Sequence, residues 1–430
     1  MKKSLLVLGL LLLAGPCFAE FNIETEVAKY VNTLQGEELA KSNAYFDGQH
    51  WIRFWDTLLG CIVASILMMT GLSARMRDFS KKVTNKKFIH DCVYVIQYML
   101  LVTAMTLPFS FYTGYVREHQ YDLSNLDLMG WFGELGKGLM VGTIMMAIFV
   151  PILLMIMRKY KNWWIGGTIL SVIFIMFTSF VAPVFISPLF NNYEPLEDGP
   201  LKQKLISMAQ ANGIDADNIY RFDASKQSKR ISANVSGLFG TTRISLNDNL
   251  LNRTSEEEIL AVMGHEMGHY ALNHIYESVV YFAILILFGF YFVYWVLNNT
   301  FLERRKKWGV QSSTDTAYLP VMLATISLFF FMISPISKSI IRVNEVEADI
   351  YGLNAARQPD GFAKTAMKLS EYRKISPSRL EEVLFHDHPS GENRVRMAMR
   401  WKKENLESLP KTQENNQSSV NKEEQKTSSL

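Results

Sequence analysis

Two histidines stand four positions apart in the segment His265-Glu266-Met267-Gly268-His269. On a helix, positions i and i+4 share a face, so both imidazoles could bind one ion. Glu266 follows the first histidine and is placed to act as a general base toward a metal-bound water. The residues therefore predict hydrolysis assisted by a divalent metal ion, and histidine ligands favour zinc. The alternative is a pair of buried histidines that hydrogen-bond only to backbone groups.

The segment around these histidines carries the signals of a helix. Ser255 and Glu258 have the spacing of a capping box. Glu256 and Glu257 add acidic charge, which stabilises a helix N-terminus. We expect a helix that begins at about 255 and runs past 275. The two histidines then lie within it, which is the structural context that the motif requires.

A catalytic zinc ion keeps three protein ligands and one open position, so a third ligand must come from elsewhere in the chain. The best candidate is Glu345, because Asp349 stands four residues further on and shares its helix face. One carboxylate could bind the metal while the other, Asp349, supports a ligand histidine through its second ring nitrogen. Glu347 lies off that face, and His274 is interpreted as an ordinary polar residue near the membrane surface.

Six long apolar stretches divide the chain, and the longer ones reach the roughly 20 residues that a helix needs to cross a bilayer. Polar segments lie between and after them, which excludes both a soluble protein with one core and a bare bundle of membrane helices. Two stretches separate His269 from Glu345, and a pair of antiparallel helices returns the chain to the side it left. The ligands can therefore meet at the membrane surface. The stretches are 55–72, 88–115, 129–157, 163–190, 276–300 and 317–341.

The expected fold is mainly α, a polytopic bundle of six or seven spans with a small α/β zincin-like domain at the membrane surface. The first segment has a positive start, a short apolar run and small residues, as a signal peptide or signal anchor does. The expected order is 1–19 signal segment, 20–54 polar segment, 55–190 four spans, 191–275 zinc protease domain, 276–341 two spans, 342–401 the rest of that domain, and 402–430 a disordered tail.

Composition excludes other classes of protein. The net charge is only +3 and no basic patch is interleaved with aromatic residues, so nucleic-acid binding is not expected. The three cysteines, at positions 17, 61 and 92, have neither the spacing of a disulfide framework nor that of a zinc ribbon. The expected partners are the lipid bilayer and peptide or membrane-protein substrates, and the oligomeric state stays open.

Several motifs resemble the type I CAAX prenyl endoproteases, a family of integral-membrane zinc proteases. Ile186-Ser187-Pro188-Leu189-Phe190-Asn191 resembles the segment by which that family leaves the membrane. Glu345-x-x-Ala348-Asp349 resembles its third-ligand motif, and His388-Pro389 with Arg394 resembles its C-terminal element. The resemblance is specific over about 183–400 and rests on span layout before that, where 5–19 would supply the seventh span of the family.

The resemblance implies how the metal is held and used. His265, His269 and Glu345 would bind one zinc ion per chain, and Glu266 would activate water. Asp349 would orient a ligand or take part in proton transfer.

The resemblance also implies how a substrate is held. His388 and Arg394 would help to stabilise the oxyanion that forms during peptide hydrolysis. Asn234 would lie on or beside an edge strand that pairs with an extended substrate. The family usually has an alanine after this asparagine, whereas Val235 follows here.

The expected activity is that of a zinc metalloendopeptidase, which hydrolyses peptide bonds with zinc-activated water. The signal-like start indicates a bacterial setting, in which prenylated substrates are not expected. The alternative is therefore a quality-control protease that cleaves damaged or stalled membrane proteins. A catalytically silent scaffold or transporter belongs to a different class, and Glu266 argues against it because a structural zinc site has no use for that carboxylate.

The short loops carry unequal positive charge. Loops 74–87, 158–162 and 301–310 hold six, three and four Lys/Arg, whereas 116–128 has Arg117 alone. Because positive loops stay in the cytoplasm, the sequence predicts a bacterial inner-membrane protein with its zinc domain on the periplasmic side. Eukaryotic relatives are described with the site facing the cytosol, and we follow the charges of this chain.

Overall fold

The computed structural model describes residues 21–215, 218–236 and 242–405. These ranges are mainly helical with one small sheet, which confirms the predicted fold class. The helices are α1 (Ile23–Val31), α2 (Gly36–Met69), α3 (Leu72–Val83), α4 (Lys87–Gln120), α5 (Leu128–Lys159), α6 (Trp163–Phe190), α7 (Pro200–Ala211), α8 (Asp248–Arg253), α9 (Glu256–Ala271), α10 (His274–Asn299), α11 (Leu302–Lys307), α12 (Leu319–Met332), α13 (Ser334–Ala356), α14 (Pro359–Leu369), α15 (Arg379–Phe385) and α16 (Gly391–Asn405).

Within the described ranges, five helices are long and apolar enough to cross a membrane, namely α2, α4, α5, α6 and α10. The pair α12 and α13 passes the same test only when joined, and it bends by 56° at the break between them. Pro335 lies in the first turn of α13, where it lacks the N–H that would continue the hydrogen bonds of α12. The predicted stretch 317–341 is therefore not one straight helix.

The first predicted membrane stretch and the predicted tail have different boundaries in the structure. The stretch 55–72 is the second half of α2, which already begins at Gly36 within the predicted polar segment. Residues 402–405 form the last turn of α16 rather than the start of a tail. The predicted signal segment and the rest of the predicted tail lie outside the described residues.

The sheet has four strands in the order β1-β2-β4-β3. They are β1 (Tyr193–Pro195), β2 (Asn218–Phe222), β3 (Ala233–Ser236) and β4 (Arg243–Asn247). β2 runs parallel to β4, whereas β1 and β3 are antiparallel to their neighbours. β3 therefore forms one edge of the sheet. Buried residues of β4 pack with Met263 and Met267 of α9, which joins the sheet to that helix.

Four small residues, two on each helix, allow α9 and α13 to lie unusually close. A Cβ atom on Gly264 would come within 2.8 Å of the carbonyl oxygen of Gly352. A Cβ atom on Gly268 would come within 3.0 Å of the Cα of Ala348. Real Cβ atoms essentially never approach other heavy atoms below 3.0 Å, so a larger residue at Gly264 would push the helices apart, and one at Gly268 would make an unusually tight contact. This crossing brings the histidines of α9 against the carboxylates of α13.

Candidate metal centre

Three predicted ligands converge where α9 crosses α13. Nε2 of His265 lies 3.2 Å from Nε2 of His269. The carboxylate oxygens of Glu345 lie 3.2 Å from Nε2 of His265 and 3.5 Å from Nε2 of His269. One potential ligand atom from each residue lies within 4.8 Å of the other two. The capping box of α9 is formed by Ser255 and Glu258, and it holds the start of the helix that presents both histidines.

The partners of His265 establish which of its nitrogens faces the centre. Its Nδ1 lies 2.7 Å from Oδ1 of Asp349, a carboxylate that is fully buried. Since a carboxylate accepts, Nδ1 carries the proton and Nε2 presents a lone pair. Arg394 is also buried, and its Nε and Nη2 donate to Asp349 over 2.9 and 2.5 Å. Asp349 is thus held by a guanidinium while it orients His265.

His269 is oriented through a residue that the sequence interpretation placed elsewhere. Its Nδ1 lies 2.9 Å from Nδ1 of His274, whose Nε2 lies 3.2 Å from Oε2 of Glu347. Because Glu347 accepts the proton of His274 Nε2, Nδ1 of His274 accepts in turn from Nδ1 of His269. This leaves a lone pair on Nε2 of His269, which faces the centre.

The interpretation of His274 as an ordinary surface residue is wrong, because the helix does not run past 275. α9 ends at Ala271, and Asn273 has φ 60, a left-handed conformation that turns the chain before α10 begins. His274 is only 4% exposed. Asparagine is the residue after glycine that most readily adopts this conformation at the end of a helix, so Asn273 was the signal in the sequence.

The donor set fits a divalent cation. Two imidazole lone pairs and a carboxylate point at one place, and no proton lies between the two nitrogens in the tautomers described above. Oε2 of Glu345 is also buried without a hydrogen-bond partner among the described residues. A cation bound by all three residues would remove the repulsion between the facing lone pairs. It would also satisfy the buried carboxylate oxygen of Glu345. Two histidines and one glutamate are the ligand set of several catalytic zinc sites.

Glu266 and His388 face the same region from different elements. A cavity of about 170 Å³ is lined by side chains that include His265, Glu266, His388 and Arg394. Burial raises the pKa of Glu266 above the ordinary value of a glutamic acid, which brings the carboxylate closer to the range of an effective general base. Nε2 of His388 lies 3.2 Å from Oε2 of Glu345, and its Nδ1 lies 2.8 Å from Asp387.

Asn234 lies on the edge strand β3, where its Cα partner is Ser245 of β4. The residues just before it, from Ile231 to Ala233, line the cavity beside Glu266, although Asn234 itself does not. The structure thus brings seven of the eight predicted site residues into one cluster and places the eighth on the adjoining strand.

Comparison with known proteins covers nearly the whole described chain. A model of peptidase family M48 matches residues 195–402, and a model described as the CAAX prenyl protease N-terminal domain with five membrane helices matches residues 23–192. An uncharacterized metalloprotease of Bacillus subtilis, YhfN, is 27% identical over 368 residues, which cover 85% of this chain and 86% of that protein.

Two yeast proteins extend the comparison. CAAX prenyl protease 1 of Saccharomyces cerevisiae is 31% identical over 270 residues, covering 58% of this chain and 59% of that protein. The crystal structure of Ste24p from S. mikatae superposes with a TM-score of 0.71 at 21% identity. It covers 88% of this chain and 94% of the yeast chain, so the fold is shared over most of both chains.

Proposed function

We propose that this chain is an integral-membrane zinc endopeptidase. It joins a family M48 peptidase domain to the N-terminal membrane domain of the CAAX prenyl proteases. It is also homologous to CAAX prenyl protease 1. Homology supports a membrane metalloprotease. The finer proposal, zinc and peptide-bond hydrolysis at this centre, rests on the convergence of His265, His269 and Glu345 beside Glu266.

The residues would have two separate roles in hydrolysis, metal binding and proton transfer. His265, His269 and Glu345 would hold the ion, which when bound supplies a Lewis acid that polarises a peptide carbonyl and makes a nearby water more acidic. Glu266 would take the proton of the attacking water and later deliver it to the leaving nitrogen. Its raised pKa suits both steps, because the carboxyl group must accept a proton and then release it.

The substrate would lie along β3 and above the ligands. β3 is an edge strand, whose free backbone groups can pair with an extended peptide, and we assign Asn234 to this side of the site. His388 is one-quarter exposed at its side chain, so it can reach a substrate oxygen. Asp387 accepts from Nδ1 of His388, so Nε2 donates to a substrate oxygen when the ring is protonated on both nitrogens. We propose that His388 in that form, with Arg394 behind it in the same cavity, stabilises the oxyanion.

The substrate class remains a choice between prenylated peptides and damaged membrane proteins. The relatives named CAAX prenyl proteases favour the first, whereas the bacterial setting indicated by the signal-like start of the sequence favours a quality-control protease. Either substrate would bind as an extended segment along the edge strand β3.

We propose that the zinc domain faces the periplasm of a bacterial inner membrane. Helix α3 and the loop before α12 meet at one end of the bundle, where Arg77 donates to the carbonyl of Gly309 over 2.9 Å. The acidic loop after α4 instead contacts the peptidase domain, where Glu118 pairs with Arg230 at 2.7 Å. The basic loops therefore lie at the end away from the candidate metal centre, which supports this orientation because positively charged loops stay in the cytoplasm.

A comparison of membrane proteomes tests the proposed function. Membranes that contain either the wild-type protein or the Glu266→Gln variant are compared for peptide termini. Peptide termini that appear with the wild-type protein but not with Glu266→Gln identify substrates. The sequences of these termini decide between the two substrate classes. Identical sets of termini would contradict a protease function. The scaffold alternative predicts that outcome.

A further inference from the structure

An apolar groove of about 690 Å³ lies in the membrane bundle and shares no lining residue with the cavity beside the candidate metal ligands. Its walls come from the second half of α2, the second half of α10 and the first half of α12. Its mouth is formed by α11 and the residues on either side of it. The lining residues that the argument uses are Ser65, Thr300, Phe301, Arg304, Lys307 and Thr325.

The walls present almost no free polar groups. Ser65 donates to the carbonyl oxygen of Cys61 over 2.8 Å, and Thr325 donates to that of Val321 over 2.7 Å. Thr300 likewise donates to Val296 over 2.6 Å. Each hydroxyl is therefore satisfied within its own helix. The surface left to an occupant is hydrocarbon, which suits an acyl chain rather than a polar molecule.

The mouth of the groove is positively charged. Arg304 and Lys307 stand three positions apart on α11, so they share a helix face, and both line the groove. Both are exposed, and neither forms an ion pair or a side-chain hydrogen bond with any residue that the structure describes. No aspartate or glutamate lines the groove. An occupant with a negative group above its apolar part would complement these two cations.

The backbone that places α11 is strained. Phe301 has φ 57, a conformation that bulky residues rarely adopt. Its ring packs 5.6 Å from that of Trp308, and both rings line the groove mouth. Aromatic residues are enriched where the hydrocarbon of a bilayer meets its headgroups. The turn thus holds two interfacial rings and two cations at one level of the membrane.

We propose that this groove binds one anionic phospholipid of the bilayer, with an acyl chain against α2, α10 and α12 and its phosphate between Arg304 and Lys307. The site does not depend on the proposed peptidase activity. α10 follows the helix that carries the two histidines, and α12 precedes the helix that carries Glu345. A lipid that joins α10 to α12 should therefore stabilise the helices that enter the metal centre.

Native mass spectrometry of the full-length protein tests this site. The protein is released from micelles that contain phosphatidylglycerol or phosphatidylcholine with identical acyl chains, and retained lipid is counted. We expect one tightly retained phosphatidylglycerol and a higher melting temperature with it than with phosphatidylcholine. Replacing both cations, Arg304→Ala with Lys307→Ala, should weaken that retention on the order of 30-fold, since each basic residue near an anionic headgroup contributes about fivefold.

A matched double variant controls for general charge. Lys86→Ala with Lys306→Ala removes two exposed cations at the same end of the bundle that do not line the groove. It should retain phosphatidylglycerol as the wild type does, as should the exchange Arg304→Lys with Lys307→Arg. Equal retention of both lipids by the wild-type protein would overturn the proposal. So would equal losses in the two double-alanine variants, or retention of a hydrophobic peptide in place of phospholipid.

Discussion

Nδ1 of His269 lies 2.9 Å from Nδ1 of His274, so one histidine of the candidate metal centre is oriented by another histidine rather than by a carboxylate. His265 has the more usual arrangement, with its Nδ1 2.7 Å from Asp349. Both arrangements end on a carboxylate, because Glu347 lies behind His274. Each places the proton on Nδ1 and the lone pair on Nε2, which a metal ligand needs.

Replacing His274 should weaken metal binding without removing any ligand. We expect His274→Ala to lower zinc affinity about 10–100-fold, because the ring of His269 loses the acceptor that orients it and fixes its tautomer. Competition with a chromophoric chelator measures this. His119→Ala, on the exposed surface, is the matched control and should leave the affinity unchanged. Unchanged affinity in His274→Ala would show that the contact does not orient His269.

Replacing His388 should lower catalysis alone, whereas replacing Arg394 should lower both catalysis and stability. His388→Ala should lower kcat about 10²–10³-fold and leave zinc content and stability nearly unchanged, as expected for a donor that acts on the oxyanion. Kinetics and metal analysis of the purified variant test this. Loss of zinc in His388→Ala would instead assign the residue to metal binding.

Arg394→Ala should also lower kcat by a similar factor, and in addition destabilise the fold. It leaves the buried carboxylate of Asp349 without its guanidinium. Breaking a buried pair in this way costs about 3–5 kcal/mol. Chemical denaturation measures the loss. A variant as stable as the wild type would show that Asp349 does not depend on Arg394.

The close crossing of α9 and α13 should not tolerate an added methyl group. A Cβ atom on Gly352 would come within 2.6 Å of the backbone nitrogen of His265. We expect Gly352→Ala to destabilise the protein by about 1–3 kcal/mol and to lower zinc affinity, because the helices that carry the ligands must separate. Gly60→Ala, at a helix position with nothing within 4 Å, is the control. Equal melting temperatures and zinc affinities for the two variants would contradict this account of the crossing.

Much of the centre could be predicted because helical periodicity places i and i+4 side by side, both in His265 with His269 and in Glu345 with Asp349. The three glycines of the crossing, Gly264, Gly268 and Gly352, carried no comparable signal, since close approach depends on which helix packs against which. His274 was misplaced for a local reason, namely that the left-handed Asn273 ends α9 before the periodicity reaches it. Pro335 could have predicted the bend before α13, but the stretch 317–341 was assigned as one span from its apolar composition alone.

Reporter fusions test the proposed orientation. Alkaline phosphatase folds to its active form outside the cytoplasm, so a fusion after Lys307 should be inactive and one near Lys402 should be active. The four consecutive cations at 304–307 are the physical reason, because they are hard to translocate. Activity at Lys307 and none at Lys402 would reverse the orientation and place the metal centre in the cytoplasm.

The most direct test of the central proposal separates metal binding from catalysis at Glu266. Zinc content and peptidase activity are measured on the same purified sample of Glu266→Gln, with His265→Ala as the variant that should lose the metal. We predict that Glu266→Gln keeps one zinc per chain and loses activity by at least about 10²–10⁴-fold, the contribution of a general base. Chelation should abolish the wild-type activity, and added zinc should restore it. Full peptidase activity in zinc-loaded Glu266→Gln would contradict the mechanism.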